Sequence, residues 1–171
     1  MTPEMTVGAV PTCIRADPRT SQAPGCRTVR ADPRWPQIVA ALIALRERGR
    51  HAARIVDADC ACGTLLIAAA HHARALGFVG IEARGIDHSP ACIGRARAAA
   101  NRLSNPAIGF RFECVDMVQA LAEEADFPAD IILWHGRRPR GRQAGVREAV
   151  AAAGDRIIGD PAPDAFETAA A

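Results

Sequence analysis

Hydrophobic and polar positions follow two different periods along this chain, and the changes of period predict its elements. Short β-branched or apolar runs predict five strands, at 55–57, 81–86, 109–116, 129–134 and 156–159. Apolar residues at helical spacing predict four helices, at 33–48, 64–76, 90–103 and 143–153. Strands and helices that alternate in this way are typical of an α/β protein with a mostly parallel sheet.

Capping residues and a glycine mark where two of the helices begin or end. Asp32 can cap the first helix, Pro33 suits its first turn, and Gly49 stops it. Ser89 and Pro90 open the helix at 90–103 in the same way. These signals support the helices that the periodicity predicts.

Length and composition fit one folded domain. A chain of 171 residues with 49% hydrophobic and 23% charged residues has the composition of a soluble globular protein. Its net charge of +2 is too small to indicate a nucleic-acid-binding protein by itself. The first part of the chain is poor in large apolar side chains. We therefore expect a flexible arm at 1–33, a single domain at 34–160 and a tail at 161–171.

The cysteines and the first residues bear on metal binding and location. The six cysteines form no C-x-x-C pair, which argues against a structural zinc site, so we expect no metal. Reduced thiols are typical of a cytoplasmic protein, which is the location that we expect. The start of the chain shows no signal peptide, and no apolar run has the length of a membrane span.

The stretch 54–70 combines a strand, a turn of small residues and an apolar helix. Ile55 and Val56 lead into Asp57, and the turn that follows contains one glycine, Gly63. Small side chains let a ligand approach the backbone, and free N–H groups at a helix start attract a negative group. The turn lacks the G-x-G-x-x-G dinucleotide fingerprint, which argues against NAD.

Residues 57–70, Asp-Ala-Asp-Cys-Ala-Cys-Gly-Thr-Leu-Leu-Ile-Ala-Ala-Ala, resemble the D-P-x-C-G-S-G-T-x-L-I-E-A-A signature of the RNA methylase family. These class I S-adenosylmethionine (SAM) enzymes, often fused to a THUMP domain, methylate the exocyclic amine of guanine in rRNA or tRNA. Matching positions are Asp57, Cys60, Gly63, Thr64, Leu65, Ile67, Ala69 and Ala70. Ala61 replaces a family glycine at the point where the cofactor comes closest. The similarity extends from about residue 33 to about residue 135.

The resemblance implies a doubly wound, Rossmann-like methyltransferase sheet. A full sheet of this class has seven strands and ends in an antiparallel hairpin. Only five strands are visible here, so we expect a truncated sheet of strand order 3-2-1-4-5, with no THUMP domain. Its last strand would be an unprotected edge, through which a homodimer could form.

Three predicted strands end in an aspartate, and the resemblance assigns cofactor contacts to them. Asp87 stands where a doubly wound fold places the acid that binds ribose hydroxyls, although it could instead help to cap the next helix. If Asp87 only binds ribose, the Asp87→Ala variant without ligand should have nearly the same thermal midpoint as the wild type. In such methyltransferases the acid in the position of Asp116 accepts from the adenine amine. The predicted SAM-binding residues are Asp57, Asp59, Ala61, Gly63, Asp87, His88 and Asp116.

The exit of the fourth strand departs from the family. The family has N-P-P-[YW] there, and this chain has Trp134-His135-Gly136 followed by several arginines. Trp134 and His135 could supply stacking and a proton acceptor as catalytic residues, or could be a core tryptophan and a solvated histidine. The predicted substrate-binding residues are Arg137, Arg138 and Arg140, with Arg142 nearby; a solvated loop is the alternative.

Two hypotheses about function remain open. The first is a SAM-dependent methyltransferase that acts on RNA or on an anionic small molecule. The second is a degenerate methyltransferase-fold protein that binds SAM or a partner without catalysis, which Ala61 and the missing N-P-P-[YW] favour. A nicotinamide oxidoreductase has little support beyond the general fold.

Overall fold

The computed structural model describes residues 29–136 and 144–160. A short 3₁₀ helix, Val29–Ala31, precedes ten elements of the described residues, which alternate between helix and strand. The helices are α1 (Trp35–Glu47), α2 (Thr64–Ala75), α3 (Pro90–Arg102), α4 (Met117–Glu124) and α5 (Val146–Ala153). The strands are β1 (Ala52–Ala58), β2 (Gly80–Asp87), β3 (Ile108–Cys114), β4 (Ile131–Trp134) and β5 (Ile157–Ile158).

The five strands form one sheet in the order β3-β2-β1-β4-β5, and every pairing is parallel. This confirms the predicted fold class and strand order. The register brings the carboxyl ends of the central strands together, since Asp57 pairs with both Gly85 and Leu133. Residues that follow these strands therefore meet at one edge of the sheet.

Helices cover both faces of the sheet, as a doubly wound fold requires. Alternate residues of a strand point to opposite faces, so Ile55 packs with α1, α2 and α3 while Val56 packs with α4 and α5. The first apolar cluster also contains Leu42 of α1 and Leu66 of α2, which are fully buried. No helix among the described residues has the length and apolar character of a membrane span.

The two helix starts at Asp32 and Asp116 differ from the sequence prediction. Asp32 does not cap α1, because its carboxylate accepts from the backbone and guanidinium nitrogens of Arg34, and Pro36 rather than Pro33 lies in the first turn. The third strand ends at Cys114, not at Asp116. Asp116 is the N-cap of α4 and accepts from Gln119 N at 3.0 Å. The sequence pattern did not reveal this helix, which has only eight residues.

A buried ion network occupies the α4 side of the sheet. Arg84 of β2 donates to Glu113 of β3 at 2.6 Å and to Glu123 of α4 at 2.8 Å, and it also bonds Glu124. Arg54 of β1 lies 2.8 Å from the other oxygen of Glu124. Burial acts to lower the pKa of Arg84, but the hydrogen bonds that it donates to Glu124, Glu123 and Glu113 raise the pKa above its usual value. The network therefore joins α4 to three strands by charged contacts.

Candidate functional site

The turn after β1 has an unusual backbone. Asp59, Ala61 and Gly63 have φ angles of +75°, +50° and +72°, in the left-handed region. That region is costly for residues with a Cβ atom, so Asp59 and Ala61 store strain. The N–H groups of Asp59 and Cys60 donate to the carbonyl of Ile86, at 2.9 and 2.8 Å. The turn is thus tied to the end of β2.

Gly63 is required by packing. A Cβ at this position would lie 2.7 Å from Cε1 of Phe112 and 3.0 Å from the Cβ of Ala96. Side chains of β3 and α3 thus fill the space beside Gly63. The same ring closes over Gly85, whose Cβ would lie 2.6 Å from Cδ1 of Phe112. Phe112 therefore sets how closely the turn approaches β2 and β3.

Asp87 is the link between the turn and the end of β2. Its Oδ2 accepts from Ala61 N at 2.9 Å and its Oδ1 from Ser89 N at 2.7 Å, and it is 5% exposed. The cap of α3 is the Ser89 hydroxyl, which accepts from Cys92 N, so Asp87 does not itself cap that helix. Each carboxylate oxygen can accept a second hydrogen bond, so Asp87 keeps capacity for a ligand hydroxyl.

Four of the predicted cofactor-binding residues line one crevice. Asp59, Asp87, His88 and Asp116 surround a cavity of about 20 Å³, together with Ile86, Val115 and Met117. Room of this size holds about one water molecule. A nucleoside would therefore have to lie across the rim, where His88 and Asp116 are exposed.

The chemistry of this crevice limits what else it can hold. Asp59, Asp87 and His88 offer ligand atoms that lie within 4.8 Å of one another, a spacing that a cation could use. Both oxygens of Asp87 already accept from backbone N–H groups, which favours a role in the turn.

The Cys60 thiol in the same turn is uncharged. Burial, followed by the carboxylates of Asp57 and Asp87, raises its pKa.

A second group of polar residues lies at the carboxyl ends of β1, β4 and β5. Asp57 is 1% exposed at the end of β1. His135 follows β4 and is 5% exposed, so it is not the solvated histidine of the alternative interpretation. Its Nδ1 lies 3.0 Å from Oδ1 of Asp160, which follows β5. Trp134 is half-buried, and its indole N–H has no hydrogen-bond partner among the described residues.

Asp32 and Arg34 belong to this second group, and sequence reasoning missed that role. Arg34 is 1% exposed and makes a two-point ion pair with Asp32, with distances of 3.0 and 2.9 Å. Burial acts to lower the pKa of Arg34, but Asp32 and then Asp57 raise it. Burial acts to raise the pKa of Asp32, but the bonds from Arg34 lower it, with a smaller contribution from His135. The sequence signal was the acid and base that flank Pro33.

The predicted substrate arginines, Arg137, Arg138 and Arg140, lie outside the described residues, as does Arg142. Of the other predicted site residues, the structure brings Asp59, Ala61, Asp87, His88 and Asp116 to the β2 side of the sheet edge. It brings Asp57, Trp134 and His135 to the β4 side. The two groups are joined through the turn 58–63.

Comparisons with known proteins show similarity of fold. No protein-family model matches the sequence, and no curated protein matches it. MnmC2 from Aquifex aeolicus has a TM-score of 0.51 at 14% identity, over 67% of this chain and 42% of that chain. Magnesium protoporphyrin IX methyltransferase (ChlM) from Synechocystis PCC 6803 with bound SAH has a TM-score of 0.49 at 17% identity, over 74% and 54%. The likeness concerns the fold alone. The chain spans about half the length of these structures.

Replacement of Asp87 tests how much its hydrogen bonds contribute to the stability of the fold. Asp87→Ala should lower the free energy of unfolding by about 2–3 kcal/mol, because the buried N–H of Ala61 and the half-buried N–H of Ser89 lose a charged acceptor. This revises the expectation of an unchanged thermal midpoint. The control is Asp116→Ala, which removes an exposed helix cap and should cost about 1 kcal/mol. Urea unfolding measures both, and equal effects would contradict the bridging role of Asp87.

Proposed function

We propose that this chain is a SAM-dependent methyltransferase. The observation that carries the proposal is the strained turn after β1, which Asp87 and the Ile86 carbonyl hold at the edge where parallel strands end. Asp87 accepts from the N–H of Ala61, and Ile86 from those of Asp59 and Cys60. Backbone strain that the surroundings maintain is typical of ligand-binding sites. Ligands of open α/β sheets bind in the crevice at this edge.

The residues of the β2 side would hold the nucleoside part of SAM. In this proposal Asp87 and His88 face the ribose, and Asp116 faces the adenine from the rim of the crevice. Asp57, Asp59 and Ala61 lie at the turn, where the amino-acid part of SAM would contact the backbone. Carboxylates suit both ribose hydroxyls and an ammonium group. When bound, SAM supplies a methyl group on a sulfonium centre.

The methyl acceptor would enter on the β4 side. Trp134 offers a half-buried ring for stacking, and His135 lies next to it in the chain. Transfer of a methyl group depends mostly on positioning and on exclusion of water, which this buried side of the edge favours. We propose RNA or an anionic small molecule as acceptor, with Arg137, Arg138 and Arg140 as its anion-binding residues.

Binding without catalysis is the second candidate. The observations that favour it are the cavity of about 20 Å³ and the engagement of both Asp87 oxygens by backbone N–H groups. Such a protein would bind SAM weakly over the rim, or bind a partner at the same edge.

Calorimetric titration and a methyl-transfer assay distinguish these functions. We expect SAM and its demethylated product to bind with one-to-one stoichiometry, and NADH not to bind. Protein incubated with methyl-labelled SAM should transfer label to total RNA or to a small-molecule extract. Binding without transfer would support the second candidate. Absence of SAM binding would overturn the proposed function.

A further inference from the structure

His135 and Asp160 are brought together by the register of two strands. Leu133 of β4 pairs with Ile158 of β5, and each of the two polar residues lies two positions beyond its paired residue. Their side chains meet with Nδ1 of His135 at 3.0 Å from Oδ1 of Asp160. Trp134, immediately before His135, pairs with Ala58 of β1. The pair therefore lies next to the strained turn.

The Asp160 carboxylate determines which nitrogen of His135 carries the proton. An ionised carboxylate only accepts hydrogen bonds, so the contact requires a proton on Nδ1. In the neutral ring the lone pair is then on Nε2, which becomes the nitrogen able to accept a proton. An acid that orients a histidine in this way is the arrangement found in hydrolytic triads, where the acid itself takes no proton.

Charged side chains from three segments of the chain belong to the same group as His135. Asp160 follows β5, Asp57 lies one residue before the end of β1, and Asp32 with Arg34 comes from the segment before α1. The attraction between Asp32 and His135 contributes to the lowered pKa of Asp32. Among the described residues, this group contains three carboxylates and one guanidinium. The Asp160 carboxylate, 3.0 Å from Nδ1, attracts the imidazolium that forms when the ring accepts a proton.

We propose that Asp160 is a positioning residue that holds His135 as the proton acceptor for methyl transfer, and that the methyl acceptor carries an N–H or O–H group. This inference rests on the proposed methyltransferase function. The lone pair of the acceptor forms the bond to the methyl carbon, and the carbon–sulfur bond breaks with its electron pair on sulfur. The proton of the acceptor goes to Nε2 of His135, and Asp160 keeps its charge.

The tautomer of His135 tests the role of Asp160 without substrate. Nitrogen-15 NMR at about pH 9, above the usual pKa of histidine, reports which ring nitrogen is protonated. The signal is assigned by its loss in His135→Gln. Wild-type His135 should be the Nδ1–H form. In Asp160→Ala the ratio of Nδ1–H to Nε2–H forms should fall at least about tenfold, the effect of losing a hydrogen bond to a charged group.

Further variants keep this test decisive. Asp160→Asn retains the size of the side chain and should shift the ratio in the same direction but less, since the amide can accept or donate. Asp155→Asn removes a charge from an exposed residue before β5 and should leave His135 unchanged. The exposed His88 is an internal reference in every spectrum. A wild-type Nε2–H form, or an unchanged ratio in both Asp160 variants, would overturn the positioning role.

The chemistry of the labelled product tests the acceptor class. Methyl groups on nitrogen or on a hydroxyl oxygen resist mild alkali, whereas a carboxylate acceptor, which has no proton to give, yields an alkali-labile ester. We expect alkali-stable label in the RNA or small-molecule pool, and alkali-released methanol would overturn the acceptor class. If SAM does not bind at all, the proposed function fails, while the NMR result still decides whether Asp160 orients His135.

Discussion

Glu124→Ala should lower the free energy of unfolding by about 3–5 kcal/mol, because it leaves the buried Arg84 and the half-buried Arg54 without their shared partner. Glu124 is 0% exposed and lies between Arg84, which is 4% exposed, and Arg54. Its loss would leave the Arg84 guanidinium beside a methyl group in a place that water hardly reaches, and would remove one of the contacts of Arg54. Urea unfolding followed by circular dichroism measures the change.

The neighbouring residue provides a matched control. Glu123 precedes Glu124 on α4 and bonds the same Arg84 guanidinium at 2.8 Å, but its side chain is 58% exposed. Water can replace that contact, so Glu123→Ala should cost less than about 1 kcal/mol. Losses of similar size in the two variants would show that burial does not govern this network. The double variant Arg84→Met/Glu124→Leu should recover part of the loss, since apolar residues can replace a buried ion pair while Arg54 still lacks Glu124.

Gly63→Ala should cost about 2–4 kcal/mol of unfolding free energy, the sum of left-handed strain and overpacking. At φ +72° a Cβ is unfavourable, and here it would also lie 2.7 Å from the Phe112 ring. The ring cannot move freely, because Phe112 also closes over Gly85. We further expect weaker SAM binding, since the turn would shift where the proposed ligand contacts it. Thermal unfolding and calorimetry measure the two effects.

Gly94→Ala is the control, because it makes the same glycine-to-alanine change at a position with neither strain nor close neighbours. Gly94 lies in α3, and nothing is within 4 Å of the Cβ that alanine would add. Alanine should stabilise the helix by about 0.5–1 kcal/mol. Combining Gly63→Ala with Phe112→Leu should relieve the steric part of the loss and leave the strain. A loss at Gly63 that Phe112→Leu does not change would contradict the packing explanation.

The local pattern of apolar and polar residues was sufficient to predict the central part of the fold. Helix α2 follows β1 in the sequence as in the structure, because its small and apolar residues must be buried and Gly63 marks its start. The strand order 3-2-1-4-5 was also correct, although it came from the resemblance of residues 57–70 and not from the period. Helix α4 was missed because Asp116, the residue that caps it, was read as the end of the preceding strand.

For the candidate site too, the sequence predicted some features and only the structure revealed others. Asp57 and Asp87 could be found from the sequence because an acid that follows a buried run marks the end of a strand. What these acids contact was not visible: Asp87 accepts from Ala61 N, 26 positions away, and that partner depends on how the turn folds back. Tertiary structure alone shows that Arg34 is buried beside Asp32, and that Asp160 reaches His135 across 25 positions. The sequence by itself specified which residue types end the strands, because burial and periodicity are local properties. Their partners were decided by strand register, which depends on the packing of the whole sheet.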